Sequence, residues 1–394
     1  MSVSRREFLQ RPRSAFSGRV IAARGLEAHL ASAQQPGRDP LVAPRAGEIR
    51  VNSNENPLGP GKVVIDAILG KFPEAGRYPF NSTPGEVDLV ASIAKKFNAK
   101  PENLVVGAGS GEILRSAVRA FTSPTRALVT ASPSFETCPN LAKVLGHPVT
   151  QVKVDSSFRL DIEPMVAAAK GAGLVFFNNP NNPTATVLGA KTVADFVAQV
   201  RRASPDTVIL IDEAYHDYVT DPSYQSAVPL ALDTPNVFVT RTFSKAYGMA
   251  GLRVGYAIGR PETVTSLARF KMPYNVSVPG IAAAIVSLGN PKHIQEERAR
   301  NTEVRAFTIK ALNDAGCKST DSQANFLFVD VHRTAKDFRE ACAKSAVTVG
   351  RDFPPFEKTH ARISIGTMDE MIKAAEVFRS VLRTVTTTTA GKAQ

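Results

Sequence analysis

Between residues 104 and 259 the chain alternates two textures. Short, nearly unbroken apolar runs stand at LVV (104–106), ALVT (127–130), GLVFF (173–177), TVILI (207–211), VFVT (237–240) and RVGYAI (253–258). Helix-compatible stretches such as GEILRSAVRAF and AKTVADFVAQVRRA separate most of them. A strand without polar alternation is buried on both faces, and helical crossovers between such strands build a mostly parallel sheet. The pattern predicts an α/β domain. A sparser series follows, from about 285 to 383: helical IQEERARNTEVRAFTIKALNDAG, strand NFLFVDV, helix TAKDFREACAK, strand ARISIG and helix MDEMIKAAEVFRSVL. It reads as a smaller α+β domain. The turn-rich segment 46–75, with NENPLGP, precedes the large domain and is expected to pack with the small one. The division is then a leader at 1–45, an N-terminal segment at 46–75, a large domain at 76–284, a small domain at 285–383 and a threonine-rich tail at 384–394, expected to be disordered.

Composition adds exclusions. The chain has 394 residues, 43% hydrophobic and 21% charged, which suits two ordinary domains. Its formal charge is +12. The first 50 residues supply +5 of this, and no basic block follows, so the charge is weak evidence for nucleic acid and suits small anionic substrates equally well. Three distant cysteines give no disulfide framework or CxxC pair, and six scattered histidines give no HExxH, so no metal is expected. No apolar run approaches the roughly 20 residues of a membrane span. SRREFLQ (4–10) resembles a twin-arginine export signal, and ASA (31–33) resembles a cleavage site, which suggests periplasmic export. Arg19, Arg24 and Glu27 interrupt the apolar region between them, which leaves open a disordered basic leader and a cytoplasmic location.

Open α/β sheets bind ligands beyond the carboxyl ends of their strands. Five successive strand ends here are polar: GAGSGE after LVV, ASPSFET after ALVT, NNPNNPTA after LVFF, DEAYHDY after VILI and RTFSKAYG after VFVT. GAGSGE is a glycine-rich turn opening a helix, where backbone N–H groups bind phosphate. It lacks the third glycine of a dinucleotide fingerprint, since Glu112 stands there, and no acid follows at the required distance. A phosphate monoester suits it better. No GxxxxGK[ST] exists to make Asp212-Glu213 part of a nucleotide hydrolase. Asp212 closes the most apolar strand, where a carboxylate needs a cation such as a protonated ring nitrogen. Phe135 offers a ring face, and Asn182 and Tyr215 offer donors for a ring oxygen. Lys245 is the lysine among these strand ends, and a desolvated lysine attacks carbonyls to form a Schiff base. Arg253 and Ser244 suit the phosphate. A flat ring with a basic nitrogen, a hydroxyl, an aldehyde and a phosphate describes pyridoxal 5'-phosphate.

These residues resemble a known family. VNSNENPLGP, GRYPF, NPNNPT, IDEAYHDY, TRTFSKAYGMAGLRVGY, ANFLFV and ARISIGT are similar to stretches of the fold-type I pyridoxal-phosphate-dependent aminotransferases of class I/II, closest to the histidinol-phosphate aminotransferase branch. The likeness covers roughly residues 46–383. It implies Lys245 as the Schiff-base lysine, Asp212 on the pyridine nitrogen, and Asn182 and Tyr215 on the ring hydroxyl. It implies Phe135 stacked on the ring, and Ala108, Gly109, Ser110, Thr242, Ser244 and Arg253 on the phosphate. Tyr78 would reach the phosphate of a neighbouring subunit, which implies a homodimer with shared sites. Arg362 would fork onto the substrate α-carboxylate, Arg351 would serve the substrate side chain, and Asn54 and Glu55 would line the entrance. Two positions depart from the pattern. Ala185 replaces the glycine of N-P-T-G, and VGRDFPPF (349–356) stands where the branch more often has V-R-D.

The implied activity is amino transfer, in ping-pong fashion, between an amino acid or a histidinol-phosphate-like amino-phosphate and a keto acid, 2-oxoglutarate. The alternatives are an aromatic or broad-range aminotransferase, a decarboxylase or lyase of the same fold, and an exported ligand-binding relative without catalysis. Intact Lys245 and Asp212 argue against the last.

Overall fold

A computed structural model describes residues 46–390, with side chains to Arg383. Its strands are β1 (Ile49–Val51), β2 (Leu104–Ala108), β3 (Leu128–Ser132), β4 (Val149–Lys153), β5 (Leu174–Asn178), β6 (Val208–Asp212), β7 (Val237–Thr242), β8 (Val254–Gly259), β9 (Phe326–Asp330), β10 (Val347–Val349) and β11 (His360–Ser364). β2 to β8 form one sheet in the order β2-β8-β7-β6-β5-β3-β4. β8 runs antiparallel to β2 and β7, and the other pairings are parallel.

Each predicted run in this sheet is apolar throughout because it feeds two cores. Side chains alternate across a strand. Val175, Phe177, Ile209 and Ile211 enter the core on one face. Leu174, Phe176, Val208 and Leu210 enter the core on the other. Each such residue contributes about 1.5–3 kcal/mol by leaving water. The helices Ser110–Phe121 and Ala190–Ala203 fall on the stretches read as helical. β4 was not anticipated. It is an edge strand, VTQVK, whose side chains are partly exposed, so it carries no apolar run to read.

The second core gathers Val51, Leu327, Val329, Phe338, Ile363 and Phe378. β9 pairs with β11 antiparallel, and β1 pairs with the short, unanticipated β10 in parallel. The segment 46–75 therefore divides. β1 joins the smaller core, whereas the helix Lys62–Lys71 packs on Val278–Leu288 and places Val64 in the larger one. The expected boundary at 284/285 falls within the helix Val278–Leu288. The helix Pro291–Asp314 then sends Ile294 to the larger core and Val304 and Leu312 to the smaller. A continuous helix links the two cores, so no loop marks the division. The last helix, Met368–Ala390, also runs past residue 383 into the stretch expected to be disordered. Threonine lowers helix propensity by well under about 1 kcal/mol per residue, too little to stop a helix already formed. The expectations for 1–45 and 391–394 lie outside the described residues. No described helix is long and apolar enough to cross a membrane.

Candidate active site

The sheet register sets the site. Asn178 lies beside Asp212, Asp212 beside Thr240, Thr242 beside Gly255 and Ala108 beside Val254. The carboxyl-terminal ends of four strands, β2, β5, β6 and β7, and the start of β8 thus meet at one edge.

At one end of this edge is an anion cradle. Gly109, at φ 74°, turns the chain from β2 into the helix Ser110–Phe121, whose first N–H groups lack intrahelical partners. Arg253 also has a left-handed backbone, φ 54°, a conformation costing a non-glycine residue about 1–2 kcal/mol. Its Nη1 donates to Ser244 Oγ (3.3 Å) and to the carbonyl of Ala250 (2.8 Å). Thr242 Oγ1 donates to Ser244 Oγ at 2.9 Å. A Cβ on Gly109 would come within 2.3 Å of Arg253 Nη2, so the guanidinium needs the bare glycine turn. Gly109, Ser110, Thr242, Ser244 and Arg253 are brought together as the sequence suggests. The N–H of Ala108 is instead engaged by Glu112 Oε2 at 2.7 Å, which braces the turn.

Next along the edge is Asp212, 2% exposed. Thr240 Oγ1 donates to its Oδ1 (2.9 Å), and Asn178 Nδ2 reaches its Oδ2 (3.3 Å). Burial pushes its pKa up to about 7 against the opposing Thr240 hydroxyl, and the charge of Glu213 adds to the rise. Among the described residues no cation lies within ion-pairing distance of it. A protonated ring nitrogen would supply one.

Lys245 stands in the turn after β7, within the field of this carboxylate. Burial lowers its pKa to about 8, helped by the charge of Arg362. A sizeable neutral fraction therefore exists near neutrality. Its Nζ donates to the Ser53 carbonyl (3.3 Å) and lies 5.7 Å from the Tyr215 ring. Asn54 Nδ2 donates to the Tyr215 hydroxyl (3.1 Å), while Ser364 Oγ donates to Asn54 Oδ1 (2.8 Å).

Arg362, on β11, ties the smaller core to the same place. Its Nη1 donates to Asn182 Oδ1 (2.9 Å) and its Nη2 to the Asn52 carbonyl (2.6 Å). Its buried Nε has no hydrogen-bond partner among the described residues. Desolvation brings its pKa down to about 10. A buried, underused guanidinium suits a carboxylate. With Asn182 Oδ1 taken by Arg362, the Asn182 amide nitrogen remains to donate. Phe135 is half-buried after β3, and Glu55 is exposed beside a cavity of about 240 Å³ lined also by Ser244, Gly248 and Ser364. Arg351 pairs with Glu136 and stacks on Phe353, 4.1 Å from the ring centre. Tyr78 is not drawn into this cluster. It is 64% exposed and stacks on Phe80 and Tyr274.

Sequence reasoning passed over Thr240, Asn178, Asn52, Ser364 and Glu136. Thr240 and Asn178 carry a readable signal, as polar residues within or ending apolar strands. Asn52 acts through its carbonyl, which any residue carries, so its identity gives no sign. Ala185 has φ 62° and is fully buried, so it keeps the left-handed turn of the glycine it replaces. No group of three or more His, Cys, Asp or Glu suited to a metal occurs among the described residues.

A phosphate cradle, an unpaired buried carboxylate and a depressed lysine fit pyridoxal phosphate in one orientation. Comparison with known proteins agrees. The chain is 34% identical over 337 residues to a histidinol-phosphate aminotransferase of Moorella thermoacetica, covering 85% of each chain. It is 34% identical over 352 residues to an aromatic amino acid aminotransferase of Thermobifida fusca, covering 89% of this chain and 93% of that one. Its fold matches the histidinol-phosphate aminotransferase of Sinorhizobium meliloti, solved with pyridoxal-5'-phosphate, at a TM-score of 0.78 and 26% identity, over 86% of this chain and 91% of that one. Residues 46–378 match the family of class I and II aminotransferases, and the chain belongs to that pyridoxal-phosphate-dependent, fold-type I family, near its histidinol-phosphate branch.

Proposed function

We propose that the protein transfers an amino group from an amino acid or a histidinol-phosphate-like amino-phosphate to 2-oxoglutarate. The observation that carries this reading is Lys245 itself, hydrogen-bonded to the Ser53 carbonyl at 3.3 Å, 5.7 Å from the Tyr215 ring, and within the fields of Asp212 and Arg362. When bound, the cofactor supplies an electron sink for the bond that breaks at the substrate Cα. The chain does the rest. Arg362 holds the α-carboxylate of an amino acid, or the phosphate arm that replaces it in the amino-phosphate, and so fixes which Cα bond faces Lys245. With the cofactor bound, the Lys245 amine would serve as the general base and acid that takes up the Cα proton and gives it back. Asp212 keeps a positive charge on the ring nitrogen, Asn182 and Tyr215 steady the ring oxygen, and Arg253 with the Gly109–Ser110 turn anchors the phosphate. The keto acid then enters the same site and reverses the sequence. Such a site acts in a homodimer, with Tyr78 of each chain serving its neighbour. The exposed Tyr78, Phe80 and Tyr274 supply an aromatic surface for that contact.

A second reading, an aromatic amino acid donor, has its own support. Glu136 neutralises Arg351, and Phe353 lies against it. A panel of histidinol phosphate, phenylalanine, tyrosine, aspartate and alanine, each with 2-oxoglutarate, tests the proposal by spectral conversion of the bound cofactor. Conversion by histidinol phosphate or an aromatic donor is expected. Decarboxylation without transfer overturns it.

A further inference from the structure

Arg351 and Arg362 both lie against a single residue, Phe353. The guanidinium carbon of Arg351 is 4.1 Å from the centre of that ring, and that of Arg362 is 4.8 Å away. Gly350 makes the arrangement possible. Its N–H donates to the Arg362 carbonyl (2.9 Å), and a Cβ there would meet that carbonyl at 2.7 Å and the Arg362 Nε at 3.3 Å. The glycine that alters the V-R-D pattern thus lets the Arg362 side chain pass close to the backbone, with Arg351 set one residue beyond.

Arg351 is not a free cation. Its Nη2 is paired with Glu136 Oε2, and its Nη1 donates to the Asp352 carbonyl at 3.0 Å. Both partners of the ion pair are about one quarter exposed, so the pair borders the cleft and is neither deeply buried nor fully solvated. Glu136 directly follows Phe135, the residue assigned to the cofactor ring. The fields of both Glu136 and Arg351 reach Arg362.

We propose that Glu136 is a specificity-determining residue: a resident carboxylate on Arg351 that a substrate with an anionic side chain must displace. A donor with a neutral or aromatic side chain leaves the pair intact and meets Phe353 and a region of no net charge. A second carboxylate on the side chain reaches Arg351 only by breaking an existing charge-assisted bond and leaving Glu136 beside the incoming anion, a like-charge contact. The amino-transfer reading supplies the substrate classes, and the ion pair supplies the discrimination.

The test compares the wild type with Glu136→Gln, which keeps size and removes charge. The first readout is the ratio of kcat/KM for aspartate, whose side chain is a carboxylate, to that for phenylalanine. It rises on the order of tenfold in Glu136→Gln, about 1.4 kcal/mol. A merely structural role for Glu136 lowers both constants together and leaves the ratio unchanged, which overturns the proposal. The second readout needs no turnover. Calorimetric titration of the cofactor-loaded protein with succinate, an unreactive dicarboxylate, gives tighter binding in Glu136→Gln by a similar factor and weaker binding in Arg351→Met. Equal or weaker succinate binding in Glu136→Gln overturns the proposal. If no donor is converted by the wild type, the amino-transfer reading fails, while the succinate comparison still decides the role of Glu136.

Discussion

Asp212 and Lys245 are held in opposite departures from their ordinary ionisation. Burial raises the acid to about 7 and lowers the base to about 8. In the cofactor-free protein this has a definite sign. The folded-state pKa of Asp212 lies above its unfolded value of 3.8. Its contribution to stability is therefore full below about pH 4 and lost as pH rises through about 7, some 4 kcal/mol at the outside. Asp212→Asn should remove that loss. Cofactor-free Asp212→Asn should melt higher than cofactor-free wild type at pH 8, while its kcat falls on the order of a hundred- to a thousandfold. Thermal melts and initial rates across pH 5–9 check both. Arg362 gives a sharper test of substrate orientation. Arg362→Lys keeps the charge and loses the fork, so kcat/KM should fall at least about tenfold, and Arg362→Ala about a hundredfold or more. Of these side chains, the ones ending strands were legible from their position after apolar runs. Arg362 was not. It lies within the apolar strand β11, far along the chain, and only resemblance marked it out.

The strands of the large sheet show why element reading succeeded where it did. A strand buried on both faces must be apolar at successive positions, and β5, β6 and β7 are buried along their whole length. β4 and β10 lacked that signature because one is an edge strand and the other has three residues. A glycine also lets two backbone segments approach closely. A Cβ on Gly255 would stand 2.3 Å from the Ser110 nitrogen and 2.7 Å from the Gly109 carbonyl carbon. Backbone cannot rotate away as a side chain can. Gly255→Ala should therefore push the phosphate turn off β8, destabilise the fold by about 3 kcal/mol and weaken cofactor binding together. Urea denaturation with and without added cofactor separates the two losses. If both stay at wild-type values, the close contact between β8 and the turn is wrong.

The active site draws on elements scattered from Asn52 to Ser364, so no local window of sequence contains it. What sequence could place were the parts at the strand ends; what it could not place were the contacts joining the two cores, such as Arg362 to Asn182. The exposed Tyr78, Phe80 and Tyr274, with Met272 beside them in sequence, predict that the chain associates in solution. Light scattering should give twice the mass of one chain, and Phe80→Asp with Tyr274→Asp should shift the protein towards monomer with loss of activity. A fully active monomer would remove the shared-site reading. The central claim, that Lys245 carries pyridoxal phosphate and exchanges it with amino donors, is tested most directly by the visible spectrum of the purified protein. Wild type should show a visible cofactor band that an amino donor bleaches and a keto acid restores, and Lys245→Ala should lack the band. A band that persists in Lys245→Ala, or one that no amino donor alters in the wild type, would contradict the account.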